Sequence, residues 1–428
     1  MIPPAGERAL VVGLGRSGLA LARFLADHGV RVRACDLRPA DRLAGIIGQL
    51  PPGTETVLGG YDQGVLEDCA AVYASPGVPW HSELLERARA TSRLVSSEID
   101  LFFQLCPAPI VGVTGTNGKT TTTAMAGCVL AQGPRPVVVG GNIGDTVLDR
   151  LAELTPEHWV VLELSSFQLE SCHEPHARIA AVLNLTPDHL DRHGTMDAYV
   201  AAKARLLEFQ TAGDDALLNG LDRRCRELGP LARGRVAWFD QHRPVPPVGL
   251  PGEHNRLNAL AAAAIGRAAG LTDEAIAEGV RRFPGVEHRL ELVGEWGSVR
   301  WYNDSKATNP DAGLVGLRAF PGTPLVLIAG GYGGGFELDE WLSAVREGTR
   351  AVVLLGASAD ELQGRLAGHP VRRAGSLDEA VELAGGLARP GDAVLLSPAY
   401  KSYDMFSSYE ERGRLFKEAV LAQHRASP

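Results

Sequence analysis

The chain has 428 residues, 45% hydrophobic and 22% charged, with a formal net charge of −9. This length suggests about two to four domains, and an acidic balance without a local basic patch argues against a nucleic-acid partner. No apolar run approaches the ~18 residues of a membrane span, no basic-then-apolar leader opens the chain, and the six cysteines are scattered without metal or disulfide spacing, so a cytoplasmic protein with reduced thiols is expected.

The first block, "ALVVGLGRSGLALARFLADHGVRVRACD", reads as strand, glycine turn, amphipathic helix and strand within residues 9–36. Gly13, Gly15 and Gly18, with Asp36 at the end of the next strand, match the dinucleotide fingerprint, in which backbone N–H groups and a helix N-terminus meet a pyrophosphate. A nucleotide-diphosphate sugar would use the same geometry, and a tight βα turn without ligand would look alike. Strand-like runs at Ala71–Ala74 and Leu94–Val95 follow, and a new strand at Ile110–Val113 places a boundary near residue 97.

"IVGVTGTNGKTTTTAMAG" is the strongest signal. An apolar strand enters Thr114-Gly115-Thr116-Asn117-Gly118-Lys119-Thr120 and then a helix. Successive backbone N–H groups form an anion nest, Lys119 neutralises β- and γ-phosphates, and Thr120 suits Mg²⁺. Val113 stands where the strict phosphate-loop pattern has its first glycine. In "WVVLELSSFQLE", Glu163 ends an apolar strand, where a carboxylate either holds a metal beside the phosphates or lies exposed. "LNLTPDHLDRHG" supplies His189 with Asp188, Asp191 and His193, a polar loop or the seat of a second cation. Lys203 lies in the helical stretch Met196–Phe209 on a different side from Arg205, and by itself reads as a solvated lysine.

Apolar runs alternate with helical stretches such as His254–Ala269, which implies a mostly parallel sheet with helices on both faces. The Pro-rich "DQHRPVPPVGLPG" reads as a surface connection. After "FPGVEHRLELVG" a third block begins near residue 287, with strands at "PLVLIAGG", "AVVLLG" and "DAVLLSP". Asp304, Lys306 and Ser402 follow its strands, in exposed loops or on a substrate-facing rim, and Arg289 could swing a cation towards a nucleotide. The fold class is therefore α/β in three domains: residues 1–97, 98–287 with the phosphate loop, and 288–428.

The segments "TGTNGKTT", "ELSSFQLE", "NLTPDHLDRH", "HNRLNALAA", "EHRLE", "NDSKATNP" and "SPAYKSYDMFSSYEERG" occur in one order over nearly the whole chain. Together they resemble the ATP-dependent Mur ligases of peptidoglycan synthesis. "GLGRSGLA", "SPGVP" and "DMFSSYEERG" resemble the branch that adds D-glutamate to UDP-N-acetylmuramoyl-L-alanine. The resemblance implies a Rossmann-like UDP-sugar domain, a central phosphate-loop ATPase domain with a mostly parallel sheet, and a Rossmann-like C-terminal domain that brings the amino acid. It also implies formation of an acyl phosphate on the alanyl carboxylate, then amine attack. ATP and two Mg²⁺ ions are the implied cofactors.

By the same resemblance, Gly15, Arg16, Ser17, Asp36, Leu37, Arg38, Ser75, Pro76 and Gly77 match the uridine-diphosphate pocket. Asn142, Ser165 and His189 match contacts to the muramoyl-alanine end. Gly115, Thr116, Asn117, Gly118, Lys119, Thr120, Thr121, Asn255, Asn258, Arg289, Asp304 and Lys306 match the ATP site. Thr120 and Glu163 match ligands of one metal. His189 and Lys203, the latter matching a carbamylated lysine, belong to the second. Thr308, Lys401, Ser402 and Tyr409 match the amino-acid end. The family's D-glutamate ligases usually carry a lysine in the loop after "AGG"; this chain has Gly333, Gly334 and Gly335 there, while Lys401 stands where small residues are usual. Lys401 is expected to supply the missing charge, and L-glutamate is the alternative substrate. Of other classes, a nicotinamide oxidoreductase would leave the phosphate loop unused, and a phosphate-loop switch would leave the third block unexplained. Nothing requires a dimer, so a monomer is expected, with hinges near 97 and 287.

Overall fold

The computed structural model describes residues 2–61, 63–142, 146–240 and 248–425. Three sheets account for the strands. The first contains β1 (Arg8–Val12), β2 (Arg31–Asp36), β3 (Glu55–Leu58), β4 (Cys69–Ala74) and β5 (Leu94–Ser97) in the order β3-β2-β1-β4-β5. The second contains β6 (Ile110–Thr114), β7 (Val137–Gly141), β8 (Trp159–Glu163), β9 (Ile179–Val182), β10 (Asp215–Asn219) and β11 (Arg235–Phe239) in the order β11-β10-β9-β6-β8-β7. All pairs in both are parallel. Central strands such as β6, "IVGVT", are buried along their whole length, as expected where helices cover both faces of a parallel sheet.

Each sheet reverses its strand order at one place, β1/β4 in the first and β6 with its neighbours β8 and β9 in the second. Such reversals open a crevice at the strands' carboxyl ends. Both glycine turns leave the sheet at these points.

The third sheet has β12 (Glu291–Trp296), β13 (Val299–Asn303), β14 (Leu325–Ala329), β15 (Thr349–Leu354), β16 (Val371–Arg373) and β17 (Ala393–Leu396) in the order β12-β13-β17-β14-β15-β16. Only the edge pair β12/β13 is antiparallel. Gly297 and Ser298, both at positive φ, make its tight turn. The sequence reading did not anticipate this hairpin.

The chain divides into two compact units, Met1–Pro246 with Leu257–Arg282, and Pro247–Arg256 with Phe283–Pro428. The first and second sheets share the first unit and one continuous core, in which Val11, Ile99, Phe102 and Val160 belong to the same cluster. The segment of the expected hinge near 97 is buried and hydrogen-bonded within this unit. Ser96, Ser97, Glu98 and Asp100 are at most 2% exposed. Asp100 accepts from His173 N at 2.8 Å and from Ser96 Oγ at 2.6 Å, and Ser171 Oγ meets Ser97 Oγ at 2.8 Å. Residues 241–247 of the Pro-rich connection lie outside the described residues.

Candidate active site

The phosphate loop is shaped by two glycines. Gly115 (φ 153°) and Gly118 (φ 84°, capping helix Lys119–Leu130) occupy backbone regions that favour glycine. A Cβ on Gly118 would lie 2.3 Å from Asn258 Oδ1, and one on Gly115 2.9 Å from Leu183 Cβ. The loop is pinned from behind. Thr116 N donates to Asn184 O at 2.9 Å, Asn117 N to Asn184 Oδ1 at 2.8 Å, and Thr116 Oγ1 meets Tyr199 OH at 2.9 Å. Thr121 is buried, and Thr120 is partly exposed beside Lys119.

Two lysines converge on one carbonyl. Lys119 Nζ donates to Gly115 O at 3.0 Å and Thr116 O at 2.7 Å, while Lys203 Nζ donates to Gly115 O at 2.9 Å and lies 3.4 Å from Thr114 Oγ1. Lys203 is 1% exposed, with Nζ 4.7 Å from the centre of the Tyr199 ring. The residue-level expectation of a solvated lysine is thus wrong: helix Met196–Glu208 turns Lys203 inward, while Arg205 caps the carbonyls of Leu169 and His173. Burial, reinforced by the charge of Lys119, lowers the Lys203 pKa to about 7, against the opposing pull of Asp188 and Glu163.

Glu163 ends β8 and is 3% exposed. Its Oε1 accepts from Asn142 Nδ2 at 3.0 Å, whereas its buried Oε2 has no hydrogen-bond partner among the described residues. A buried carboxylate oxygen in that state suits a cation. His189, at φ 51°, is half exposed, 3.5 Å from Asp188, its ring 4.9 Å from that of Phe167. Ser165 caps helix Ser166–Glu170 in a reciprocal box with Gln168. Arg192, which the sequence reading passed over, covers the Phe167 ring at 3.9 Å and donates to Pro76 O and Val78 O at 3.0 and 2.8 Å, tying this loop to the first sheet.

At the carboxyl ends of β1 and β4 lies a cavity of about 430 Å³ lined by Gly15, Arg16, Ser17, Asp36, Leu37, Arg38, Ser75, Pro76 and Gly77, all nine expected there, with Tyr61 on the far wall. Gly18 is irreplaceable on space alone, since a Cβ would lie 2.0 Å from Gly13 O. Asp36 accepts from Leu14 N at 2.7 Å and from Arg38 N and Nε, both at 2.9 Å. This hydrogen bonding by Arg38 holds the Asp36 carboxyl down at about 2. Leu37, 67% exposed, offers an apolar rim.

In the second unit, Asp304 follows β13, is buried, accepts from Ser397 Oγ at 2.8 Å and Leu290 N at 3.2 Å, and is pushed up to about 7 by burial. Lys306 Nζ sits 3.8 Å over the Tyr409 ring. Arg289 is exposed, Thr308 half-buried and Ser402 buried. Asn255 donates to Pro251 O at 2.7 Å. Lys401 is exposed, and its backbone pairs with Tyr332 at the start of the Gly333–Gly335 loop (Tyr332 N to Lys401 O 2.8 Å, Lys401 N to Tyr332 O 3.1 Å). Beneath it the buried Arg412 guanidinium, also missed from sequence, donates to Tyr400 O and Ser305 O. The division between units separates Asn255, Arg289, Asp304 and Lys306 from the phosphate loop and Asn258, so each set is described in its own unit.

Family models match three consecutive stretches: a Mur ligase MurD-like N-terminal domain at residues 7–96, a Mur ligase middle domain at 113–244, and a Mur ligase glutamate ligase domain at 288–400. Relatives named UDP-N-acetylmuramoylalanine--D-glutamate ligase include one from Pelotomaculum thermopropionicum, 42% identical over 97% of this chain and 98% of its own length, and one from Solibacter usitatus, 43% identical over 97% and 98%. Among solved structures, UDP-N-acetylmuramate-alanine ligase MurC from Thermotoga maritima aligns over 99% of this chain and all of its own with a TM-score of 0.61 at 18% identity, which supports the fold. A pseudomurein peptide ligase type C from Methanothermus fervidus aligns over 98% and 100% with a TM-score of 0.56. Together with the phosphate loop, the inward lysine and the first-sheet cavity, these matches show that the chain belongs to the Mur ligase family.

Proposed function

We propose that the protein is an ATP-dependent, ADP-forming ligase that joins D-glutamate to the alanyl carboxylate of UDP-N-acetylmuramoyl-L-alanine in peptidoglycan precursor synthesis. One observation carries the reading: the amines of Lys119 and Lys203 share the Gly115 carbonyl beside the buried Glu163. Lys119 brings positive charge to this point, while Lys203, once carbamylated, would join Glu163 as an anionic donor. A triphosphate and a carboxylate are two anions that must be brought together to react. The names of the relatives favour D- over L-glutamate.

A carboxylate resists amine attack because its carbonyl is electron-rich and oxide leaves poorly. Transfer of the ATP γ-phosphoryl to a carboxylate oxygen forms an acyl phosphate and releases ADP. The neutral glutamate amine then attacks the acyl carbon, the nitrogen gives up one proton and keeps the other as the amide N–H, and the C–O bond to phosphate breaks. The chain's task is positioning and charge stabilisation. The amides of Gly115–Thr121 and Lys119 would hold the phosphates, and Asn255, Asn258, Arg289, Asp304 and Lys306 would complete the ATP site. The first-sheet cavity would take the UDP end, with Asn142, Ser165 and His189 along the sugar and alanine. Thr120 with the unpartnered Glu163 oxygen would hold one Mg²⁺ and His189 with Lys203, once carbamylated, a second, and these ions would supply charge to the phosphate and carboxylate oxygens. At about 7, the Lys203 amine has a neutral fraction able to attack CO₂, forming an N–C bond, releasing a proton and replacing a cation with a carbamate.

Thr308, Ser402, Tyr409 and Lys401 would form the amino-acid end, the Tyr332–Lys401 pairing setting Lys401 beside a glycine loop that has no cation of its own. Lys401→Ala is expected to raise the glutamate KM about tenfold, in line with a charge-assisted contact, with the ATP KM unchanged; an unchanged glutamate KM would remove Lys401 from the site. The enzyme would act as a cytoplasmic monomer. Phosphate release tests the whole reading. ADP and phosphate should appear only when UDP-N-acetylmuramoyl-L-alanine and D-glutamate are both present. Hydrolysis with neither, as a switch protein would show, or nicotinamide turnover instead, would contradict it.

A further inference from the structure

Between the first-sheet cavity and the central sheet lies a buried carboxyl group that the ligation chemistry leaves unused. Glu98 opens helix Glu98–Leu105 and is 2% exposed. Three elements converge on it. From helix Arg16–Asp27, Ser17 Oγ, a lining atom of the cavity, lies 3.5 Å from Glu98 Oε2. From the Val147–Glu153 turn, the backbone N–H groups of Leu148 and Val147 approach the carboxyl. Glu98's own helix supplies the third side. Oε1 is buried without a hydrogen-bond partner, and no ion pair to Glu98 occurs among the described residues.

The charged surroundings are predominantly acidic. Asp149 faces Glu98 from the Val147–Glu153 turn, and Asp100 follows on its own helix, engaged by His173 and Ser96. The buried Cys172 thiol senses both carboxylates, with Arg205 beyond it, and Arg16 stands next to Ser17 on the cavity wall. The two backbone N–H groups favour the ionised form, but burial, the acidic neighbour Asp149 and the unpartnered Oε1 act the other way and favour a proton.

We propose that Glu98 is a proton-linked positioning residue for the UDP-sugar: in its acid form it donates to Ser17 Oγ, which turns the Ser17 O–H towards the diphosphate in the cavity, and in its ionised form it takes that O–H for itself. At 3.5 Å the pair is in contact but longer than the roughly 2.5–3.0 Å of a closed O–H···O bond, so a small rotation of either side chain closes the contact in one arrangement or the other. Burial raises the carboxyl to about 7, so both forms are populated at physiological pH. A bound diphosphate is an anion and favours the acid form. Binding therefore takes up a proton, and affinity falls as pH rises through about 7.

The inference rests on the reading of the cavity as the UDP-sugar site. Calorimetric titration of the full chain with UDP-N-acetylmuramoyl-L-alanine, in two buffers of different ionisation heat, tests both. Its diphosphate is a diester without an ionisation in this range. The expected result is binding about tenfold tighter at about pH 6 than at about pH 8, the equivalent of one pKa unit, with proton uptake. Glu98→Gln, whose amide N–H donates to Ser17 as the acid does, should keep the low-pH affinity throughout. Ser17→Ala should bind as weakly at about pH 6 as the unmodified protein does at about pH 8. A role for Glu98 in packing alone would change the melting temperature and leave the pH slope in place. A flat pH profile, or a slope that survives Glu98→Gln, would overturn the proposal. Absence of binding at every pH would overturn the cavity's assignment, and the proposal with it.

Discussion

The turn at Gly13–Gly18 and the turn at Gly115–Lys119 follow one plan: a buried strand, glycines at positive φ, and a helix whose N-terminus faces the crevice where strand order reverses. They differ in what surrounds the glycines. The first turn has a carboxylate, Asp36, saturated by Arg38 and Leu14 N, and a neutral hydroxyl, Ser17, over a buried carboxyl group. The second has two amines on one carbonyl and a carboxylate oxygen without a partner. The first is complete as a holder of an anion. The second is incomplete until charge is added, as a site for phosphoryl transfer should be. In the proposed reading, backbone geometry would equip both to bind phosphate, and the unbalanced side chains would equip one to react with it.

Lys119→Ala should break this contrast most severely. Ligation should fall by about 10³-fold, on the scale of a lost transition-state charge contact, with UDP-sugar affinity unchanged in a binding titration. Glu163→Gln, which retains a partner for Asn142, is expected to lower kcat about 10²-fold and to raise the Mg²⁺ concentration needed for half-maximal rate. Labelled ¹³CO₂ should appear on Lys203 in carbon NMR at neutral and higher pH. The signal should fade as pH drops below about 7, because the protonated amine has no lone pair for the attack. Asp36→Asn should have the smallest effect. With its carboxyl held at about 2, below the usual value near 4, Asp36 contributes stability above about pH 4 that is lost as pH falls to about 2. Because Arg38 is half exposed, that contribution is about 1 kcal/mol. Denaturant melts at neutral and acid pH should show the variant's deficit shrinking on acidification.

Both cradles were legible in the sequence because everything that shapes them is local: glycines within six residues of each other, between an apolar strand and a helix. The parts set by distant segments were legible only through the family resemblance, not from the local pattern. Lys203 lies on a helix with no strong amphipathic pattern, and only packing against the phosphate loop shows that it points inward. Asn258 is 136 positions from Thr122, which it meets at 3.3 Å. Lys401 and the glycine loop it flanks are joined by one backbone pairing that neither segment announces. The expected hinge at 97 rested on a change of pattern between blocks. The structure places that change in a buried Ser96–Asp100 network between the first and second sheets of one compact unit. The β12/β13 hairpin was missed because its turn, Gly297-Ser298, lies in a stretch read as the start of a new block.

Oxygen transfer tests the account's central claim most directly. With UDP-N-acetylmuramoyl-L-alanine labelled with ¹⁸O in the alanyl carboxyl group, ATP and D-glutamate, one labelled oxygen should pass to each inorganic phosphate released during ligation. Phosphate that carries no label while amide accumulates would contradict activation of the carboxylate by phosphoryl transfer at the Gly115–Lys119 cradle.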